Sequence, residues 1–288
     1  MTQAHAGRQE SGRGSLYVVA TPIGNLRDIT LRAMDVLAAV DRVAAEDTRV
    51  TAHLLAHLGL SKPLFSVREH NEQAGARTII GALERGESVA LVTDAGTPGV
   101  SDPGARVVAA VRAAGFRVVP VPGPSALTAA WSVAGLPDEH LLWYGFLPTR
   151  AAQRRGVLES LRALPYALAF YESPHRIGDT LADFAALFEP GRTLVIAREL
   201  TKLFEEIHVC PVAQGPAWLQ ADANRSRGEF VLIVSGAPRQ AADETEACRV
   251  LQVLLQELPA SQAARLAAAL TGMKRQALYE LALRLKEP

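Results

Sequence analysis

The chain has 288 residues, 49% of them hydrophobic, and its 30 lysines and arginines balance 30 aspartates and glutamates. That apolar content supports a sizeable core and two domains of roughly 100–200 residues each, while a net charge of zero excludes a protein that coats nucleic acid nonspecifically, which would be basic, so any RNA contact must come from a local patch. No run approaches the ~20 apolar residues of a membrane span.

Residues 1–14 lack the apolar core of an export signal and read as a flexible polar leader, which points to a cytoplasmic protein. From Leu16, valine-rich runs bounded by turn residues ("LYVVA", "RVAAE", "LFSV", "SVALVTD", "RVVPV") predict strands, and apolar residues at helical spacing over 30–40, 50–58, 71–85, 105–114 and 124–134 predict helices between them. Such alternation predicts an α/β domain with a largely parallel sheet over 15–136, closing at "GLPD". A second strand set follows over 137–238 ("LLWYGF", "ALAFYE", "TLVIARE", "EEIHVC", "EFVLIVS"), with helices at 151–163 and 176–188; its closer spacing predicts an α/β domain with more antiparallel pairing. Residues 235–244 read as a linker to a helical extension over 243–288, with helices at 245–257, 261–270 and 275–286. Cys210 and Cys248 have no metal-ligand spacing and read as buried, reduced thiols.

In an open α/β sheet, ligands bind outside the carboxyl ends of the strands. Three loops at such ends share unusual chemistry: "TPIGNLRD" after the first strand, "AGTPGVSDPG" after "SVALVTD" and "PGPSA" after "RVVPV". Glycine lets backbone approach a ligand closely and proline holds a turn rigid without an N–H, so the cluster predicts recognition by main-chain groups. Any one of these loops alone reads better as a tight turn; three together favour a binding site. The lysine-bearing phosphate loop is absent, as is the G-x-G-x-x-G dinucleotide fingerprint, which disfavours nucleoside triphosphates and nucleotide-dependent oxidoreductases. No cationic side chain lies between Thr93 and Ala105, and Asp94 is acidic. That lining suits a ligand without phosphates that carries positive charge, a description S-adenosylmethionine meets.

"VATPIGNLRDIT", "AEDTR", "HNE", "DAGTPGVSDPG", "VPGPSA", "GFLP", "FYESPHR", "ARELTK", "FEE" and "GEFVLIV" occur in this order. Together they resemble the tetrapyrrole methylase superfamily, and within it the branch that methylates a cytidine 2'-hydroxyl of small-subunit ribosomal RNA. The resemblance runs from about Leu16 to Val234. It implies two α/β domains with S-adenosylmethionine in the cleft between them, and a homodimer. By motif, the cofactor contacts it implies are Pro22 in the first loop; Asp94, Ala95, Gly96, Thr97, Pro98 and Ser101 in the second; and Ser125 and Ala126 in the third. From further along come Tyr171, Glu199, Leu200, Glu229, Phe230 and Val231.

Transfer to a ribose hydroxyl needs in-line alignment and a group to accept the hydroxyl proton. His70, Glu72 and Lys202 are the catalytic candidates, and Asp47, Arg49, Asn71, His175 and Arg176 the substrate-binding ones. "AEDTR" reads equally as a strand end with Asp47 or Thr48 capping a helix, and "HNE" as a helix start capped by Asn71. This chain has Val67, Arg68 and Glu69 where the family often has Tyr-His-Glu before "HNE". Arg150, Arg154, Arg155, Arg225 and Arg227 are further phosphate-contact candidates. The tail resembles a helix-turn-helix, with Lys274 and Arg275 opening its second helix. No metal site is expected. The competing readings are a small-molecule methyltransferase of the same superfamily acting on a tetrapyrrole, and a non-catalytic ribosome-assembly factor.

Overall fold

The computed structural model describes residues 14–285, so 1–13 of the expected leader, residue 286 of the expected last helix and residues 287–288 lie outside the described residues, as do the side chains of 239–243. The chain divides into two compact units, Met1–Val133 with Ala197–Ile207, and Ala134–Ile196 with His208–Pro288.

The first unit carries strands β1 (Ser15–Val19), β2 (Arg42–Ala45), β3 (Leu64–Ser66), β4 (Val89–Val92) and β5 (Arg117–Val121) in the order β3-β2-β4-β1-β5, every pairing parallel. Between and after them run helices α1 (Leu31–Ala39), α2 (Thr48–His57), α3 (Glu72–Glu84), α4 (Ala105–Ala113) and α5 (Ala126–Ala134). A parallel sheet is covered on both faces, which is why these strands read as near-continuous apolar runs. Alternate residues sort cleanly. Val19, Val43, Ala45, Ala90 and Val92 pack with Leu37 of α1 and Leu55 of α2, whereas Leu16, Ala44, Val89 and Leu91 pack with Ile79 of α3 and Val107 of α4. Because β4, β1 and β5 are neighbours, the three glycine- and proline-rich loops emerge side by side.

The second unit holds β6 (Leu141–Phe146), β7 (Ala167–Glu172), β8 (Thr193–Arg198), β9 (Glu206–Pro211) and β10 (Phe230–Val234), ordered β6-β7-β10-β8-β9. β6 and β7 are parallel, β7 and β10 antiparallel. Helices α6 (Ala151–Leu161) and α7 (Ile177–Leu187) bury Leu158, Ile177, Leu181 and Phe184 against Leu168, Phe170, Ile196 and Leu232. A short helix that sequence periodicity did not anticipate, α8 (Gly215–Gln220), adds Trp218 to that core. Arg154 and Arg155 of α6 both bond Asp183 of α7, at 2.6 and 2.7 Å, and Arg154 is buried.

The tail is three helices, α9 (Arg239–Leu254), α10 (Ala260–Thr271) and α11 (Arg275–Arg284), closed around Leu251, Ala264, Ala267 and Leu278. The expected linker over 235–244 is therefore half helical. Pro238 precedes the first turn, where a missing N–H costs nothing, so helix begins six residues earlier than predicted. Gly272, at φ +72°, ends α10 in the left-handed conformation that favours glycine. Among the described residues no helix is long and apolar enough to cross a membrane.

Candidate active site

The three loops of the first unit are fastened to one another by main-chain and threonine bonds. Thr21 and Gly96 exchange both backbone bonds, Thr21 N to Gly96 O at 2.9 Å and Gly96 N to Thr21 O at 3.0 Å. The Thr21 hydroxyl donates to Thr93 O at 3.1 Å and the Thr97 hydroxyl to Pro124 O at 3.0 Å. The second loop turns through Gly96 and Gly99, both at φ +81°, and through Ser101 at φ +62°, where a side chain is strained. These bonds tie the loops into one rim at the sheet's carboxyl edge, with Asp94, Ala95 and Ser101 exposed and Gly96 and Pro98 buried. Pro22 and Asp94 also line a pocket with Leu26, Val50, His53 and Thr93, of about 90 Å³.

Carboxylates crowd the same edge. Asp94 N–H donates to Glu46 at 3.3 Å, and Asp94 itself accepts from Asp47 N–H at 2.9 Å. Burial raises the Glu46 carboxyl; the bond from Asp94 N–H opposes that, and the Asp94 charge adds to it. Asp102, in the same loop, is pushed up to about 7, first by burial and then by the Glu46 charge, against a lowering bond from the Thr93 side chain. Sequence reasoning passed over Asp102. Its one signal is its place in "SDPG", directly after the loop's tightest turns.

Several candidates prove to be engaged in the fold. Asp47 caps α2, accepting Arg49 N–H at 2.8 Å and the Arg49 guanidinium, which holds its carboxyl well below the usual range. Asn71 accepts Arg68 N–H at 2.7 Å and closes the turn before α3. The Glu72 carboxylate is buried and accepts the Gly104 N–H at 2.6 Å, with Arg106 at 3.8 Å; it anchors the far end of the second loop where α4 begins. Gly104 sits at φ +136°, and a Cβ there would meet Leu91 at 3.3 Å. His70 and Arg49 are exposed.

Residues 197–207 also belong to the first unit. Glu199 and Thr201 take left-handed conformations, φ +51° and +65°. Thr201 N–H donates to Glu205 at 2.6 Å and Lys202 Nζ bonds Glu199 at 2.8 Å. The Lys202 stem lies on Gly24 of the first loop so closely that a Cβ would come 2.5 Å from its Cγ. Gly24 thus admits Lys202 to the loop cluster. Leu200 is buried.

In the second unit, Tyr171 contacts Trp143 with ring centroids 4.2 Å apart and Phe146 at 5.5 Å. Val231 is paired with Tyr171 and Phe230 with Glu172; Phe230 and Val231 are buried, Glu229 exposed. Arg176 is held by the buried Glu172 at 3.0 Å and by Leu147 O at 2.7 Å, while the Thr180 hydroxyl takes the same carboxylate; His175 is exposed. Arg225 donates to Trp218 O and lies 4.8 Å over the Trp218 ring. Ser125 and Ala126 open α5, both half-buried.

A family model described as tetrapyrrole (corrin/porphyrin) methylases matches residues 15–215, and one described as the RsmI C-terminal HTH domain matches 241–286. The chain belongs to the tetrapyrrole methylase family. Within it, the chain groups with proteins named ribosomal RNA small subunit methyltransferase I. That of Escherichia coli O157:H7 is 50% identical over 275 residues, 95% of this chain and 96% of its own. That of Xylella fastidiosa is 51% identical over 267 residues, 92% and 98% of the two chains. Among solved structures, the fold resembles uroporphyrin-III-C-methyltransferase from Thermus thermophilus at TM-score 0.57 and 22% identity, over 77% of this chain and 94% of that one. The methyltransferase CobJ matches at TM-score 0.59 and 22% identity, over 78% and 95%.

Proposed function

We propose that this chain transfers the methyl group of S-adenosylmethionine to the 2'-hydroxyl of a cytidine in small-subunit ribosomal RNA. The observation that carries the reading is 50–51% identity, over more than nine-tenths of both chains, to proteins named for methylation of that RNA. The loop cluster fits the cofactor in kind. It offers backbone groups and no cationic side chain between Thr93 and Ala105, and it gathers Glu46, Asp94 and Asp102, a setting favourable to a cation and poor for a phosphate. Bound there, the cofactor supplies an electrophilic methyl on a positively charged sulfur.

On this reading Pro22, Asp94, Ala95, Gly96, Thr97, Pro98, Ser101, Ser125 and Ala126 hold the cofactor, chiefly through backbone. Glu199 and Leu200 join them, and the motifs add Tyr171, Glu229, Phe230 and Val231. Lys202, fixed by Glu199 and seated on Gly24, orients the ribose. His70 accepts the hydroxyl proton; a positioned base is worth roughly 10²–10⁴ in rate. Glu72 is a positioning residue, because its carboxylate already serves Gly104 N–H. Asp47 and Asn71 likewise shape the loops of the first unit and Arg176 braces the second, which leaves Arg49 and His175 to contact RNA. We further infer a cytoplasmic homodimer acting on the assembled small subunit. Incubating the protein with methyl-labelled S-adenosylmethionine and unmethylated subunits, with sedimentation to count protomers, tests both. His70→Ala should lower kcat at least a hundredfold with little change in cofactor affinity, and an unchanged kcat removes His70 from that role.

A further inference from the structure

Strand β6 contains an irregularity with a chemical consequence. Its pairing with β7 runs Leu141↔Ala167, Leu142↔Leu168, Trp143↔Ala169, then skips Tyr144 and resumes Gly145↔Phe170, Phe146↔Tyr171. Side chains alternate faces along a strand, so without the skip Trp143 and Phe146 would point to opposite sides. The inserted Tyr144 brings them to one face, and Gly145 makes the bulge possible at φ +87°, where an L side chain is strained.

The re-aimed Phe146 lands on Tyr171, ring centroids 5.5 Å apart at 63°, and Tyr171 in turn meets Trp143 at 4.2 Å and 70°. Three aromatic rings are thus in series. The outermost remains 52% exposed, although Leu142 and Leu147 on either side reach the unit's apolar core. Bulges recur beside active sites because they redirect one side chain; this one costs a ladder position and delivers an aromatic face to solvent. Four residues on, Arg150 is exposed at the N-cap of α6, and its side chain makes no capping bond to the helix. A cation there opposes the helix dipole, so helix stability does not account for it. Beside helix N–H groups it suits a phosphate.

We propose that Phe146, supported by Tyr171 and Trp143, is a stacking platform for an unpaired base of the RNA substrate, with Arg150 on the adjoining phosphate. This rests on the reading of the chain as an rRNA methyltransferase, and extends it to how the RNA strand is gripped. Aromatic faces hold single-stranded bases largely irrespective of sequence, each stack strengthening binding roughly tenfold or more.

The test measures three quantities for the wild type and for Phe146→Ala, Phe146→Trp and Arg150→Gln: affinity for small ribosomal subunits lacking the methylation, by co-sedimentation; methylation of those subunits; and S-adenosylmethionine affinity, by calorimetry. Phe146→Ala should weaken subunit binding at least tenfold, Phe146→Trp should stay within about threefold of wild type, and Arg150→Gln should flatten the salt dependence of binding. Cofactor affinity should hold within twofold throughout. Subunit binding unchanged in Phe146→Ala, no rescue by tryptophan, or no binding by the wild type overturns the platform. A parallel loss of cofactor affinity assigns the ring to the cofactor's adenine and overturns it too. Wild-type protein that binds subunits through Phe146 but transfers no methyl would leave the platform standing and sink the functional reading, so the two failures are distinct.

Discussion

Replacing Asp102 by asparagine isolates the electrostatics of the loop cluster. Burial, helped by the negative charge of Glu46, raises the Asp102 carboxyl from 3.8 to about 7. A raised carboxyl favours folding while it is protonated. Its contribution is complete below the unfolded value near 4 and declines as pH climbs to about 7, because over that window the unfolded chain has lost the proton that the folded chain keeps. A shift of about three units corresponds to ~4 kcal/mol at 1.36 kcal/mol per unit. Asp102 is only partly shielded, so solvent screening brings this to about 2 kcal/mol. Asparagine resembles the neutral acid in shape and cannot ionise. Asp102→Asn should therefore gain about 2 kcal/mol at pH 8.5, or roughly 4 °C in melting temperature at ~2 °C per kcal/mol for a chain of this size. The gain should shrink steadily as pH falls to 4.5. Melting curves of cofactor-free wild type and variant across that range measure it, and groups not coupled to Asp102 cancel in the difference. A gap that does not change with pH, or one that widens toward acid, would refute the reasoning.

Glu72→Ala leaves Gly104 N–H buried without a partner, a cost of roughly 1–3 kcal/mol, and should weaken cofactor binding by calorimetry, whereas Glu72→Gln keeps an acceptor and should bind nearly as wild type. Gly24→Ala drives a methyl into Lys202; kcat should fall at least tenfold with a melting temperature close to wild type, and an unchanged kcat would detach Lys202 from the reaction. Asp183→Ala leaves the buried Arg154 charge only Asp179, at 3.9 Å, and should cost roughly 3–5 kcal/mol in urea unfolding, with the double variant Arg154→Met, Asp183→Ala recovering much of it.

Features carried by local pattern were legible in the sequence. Apolar runs that stop at glycine and proline marked the strand ends, and the order of the motifs marked the family. The loop cluster was visible as three loops, but not its fastening, since Thr21, Thr93, Thr97 and Pro124 meet only once β4, β1 and β5 are neighbours. Glu72 resembled a catalytic acid because its acceptor role depends on Gly104, 32 residues away. Arg176 read as a substrate contact because its partner Glu172 ends a strand, and only the turn from β7 into α7 brings the two together in a partly buried bond. The early start of α9 and the short α8 fall where proline precedes or opens a helix, Pro238 at the N-cap of α9 and Pro216 in the first turn of α8, and neither stretch carries a long apolar period. The β6 bulge has no signature beyond Gly145, since register is a property of the partner strand.

The most direct test is to incubate the protein with methyl-labelled S-adenosylmethionine and small ribosomal subunits from cells lacking this gene, then digest and map the rRNA. The account predicts label on a single cytidine ribose, lost in Lys202→Met. Tight cofactor binding with no label on subunits or free rRNA, or label transferred to a porphyrinoid instead, would contradict it.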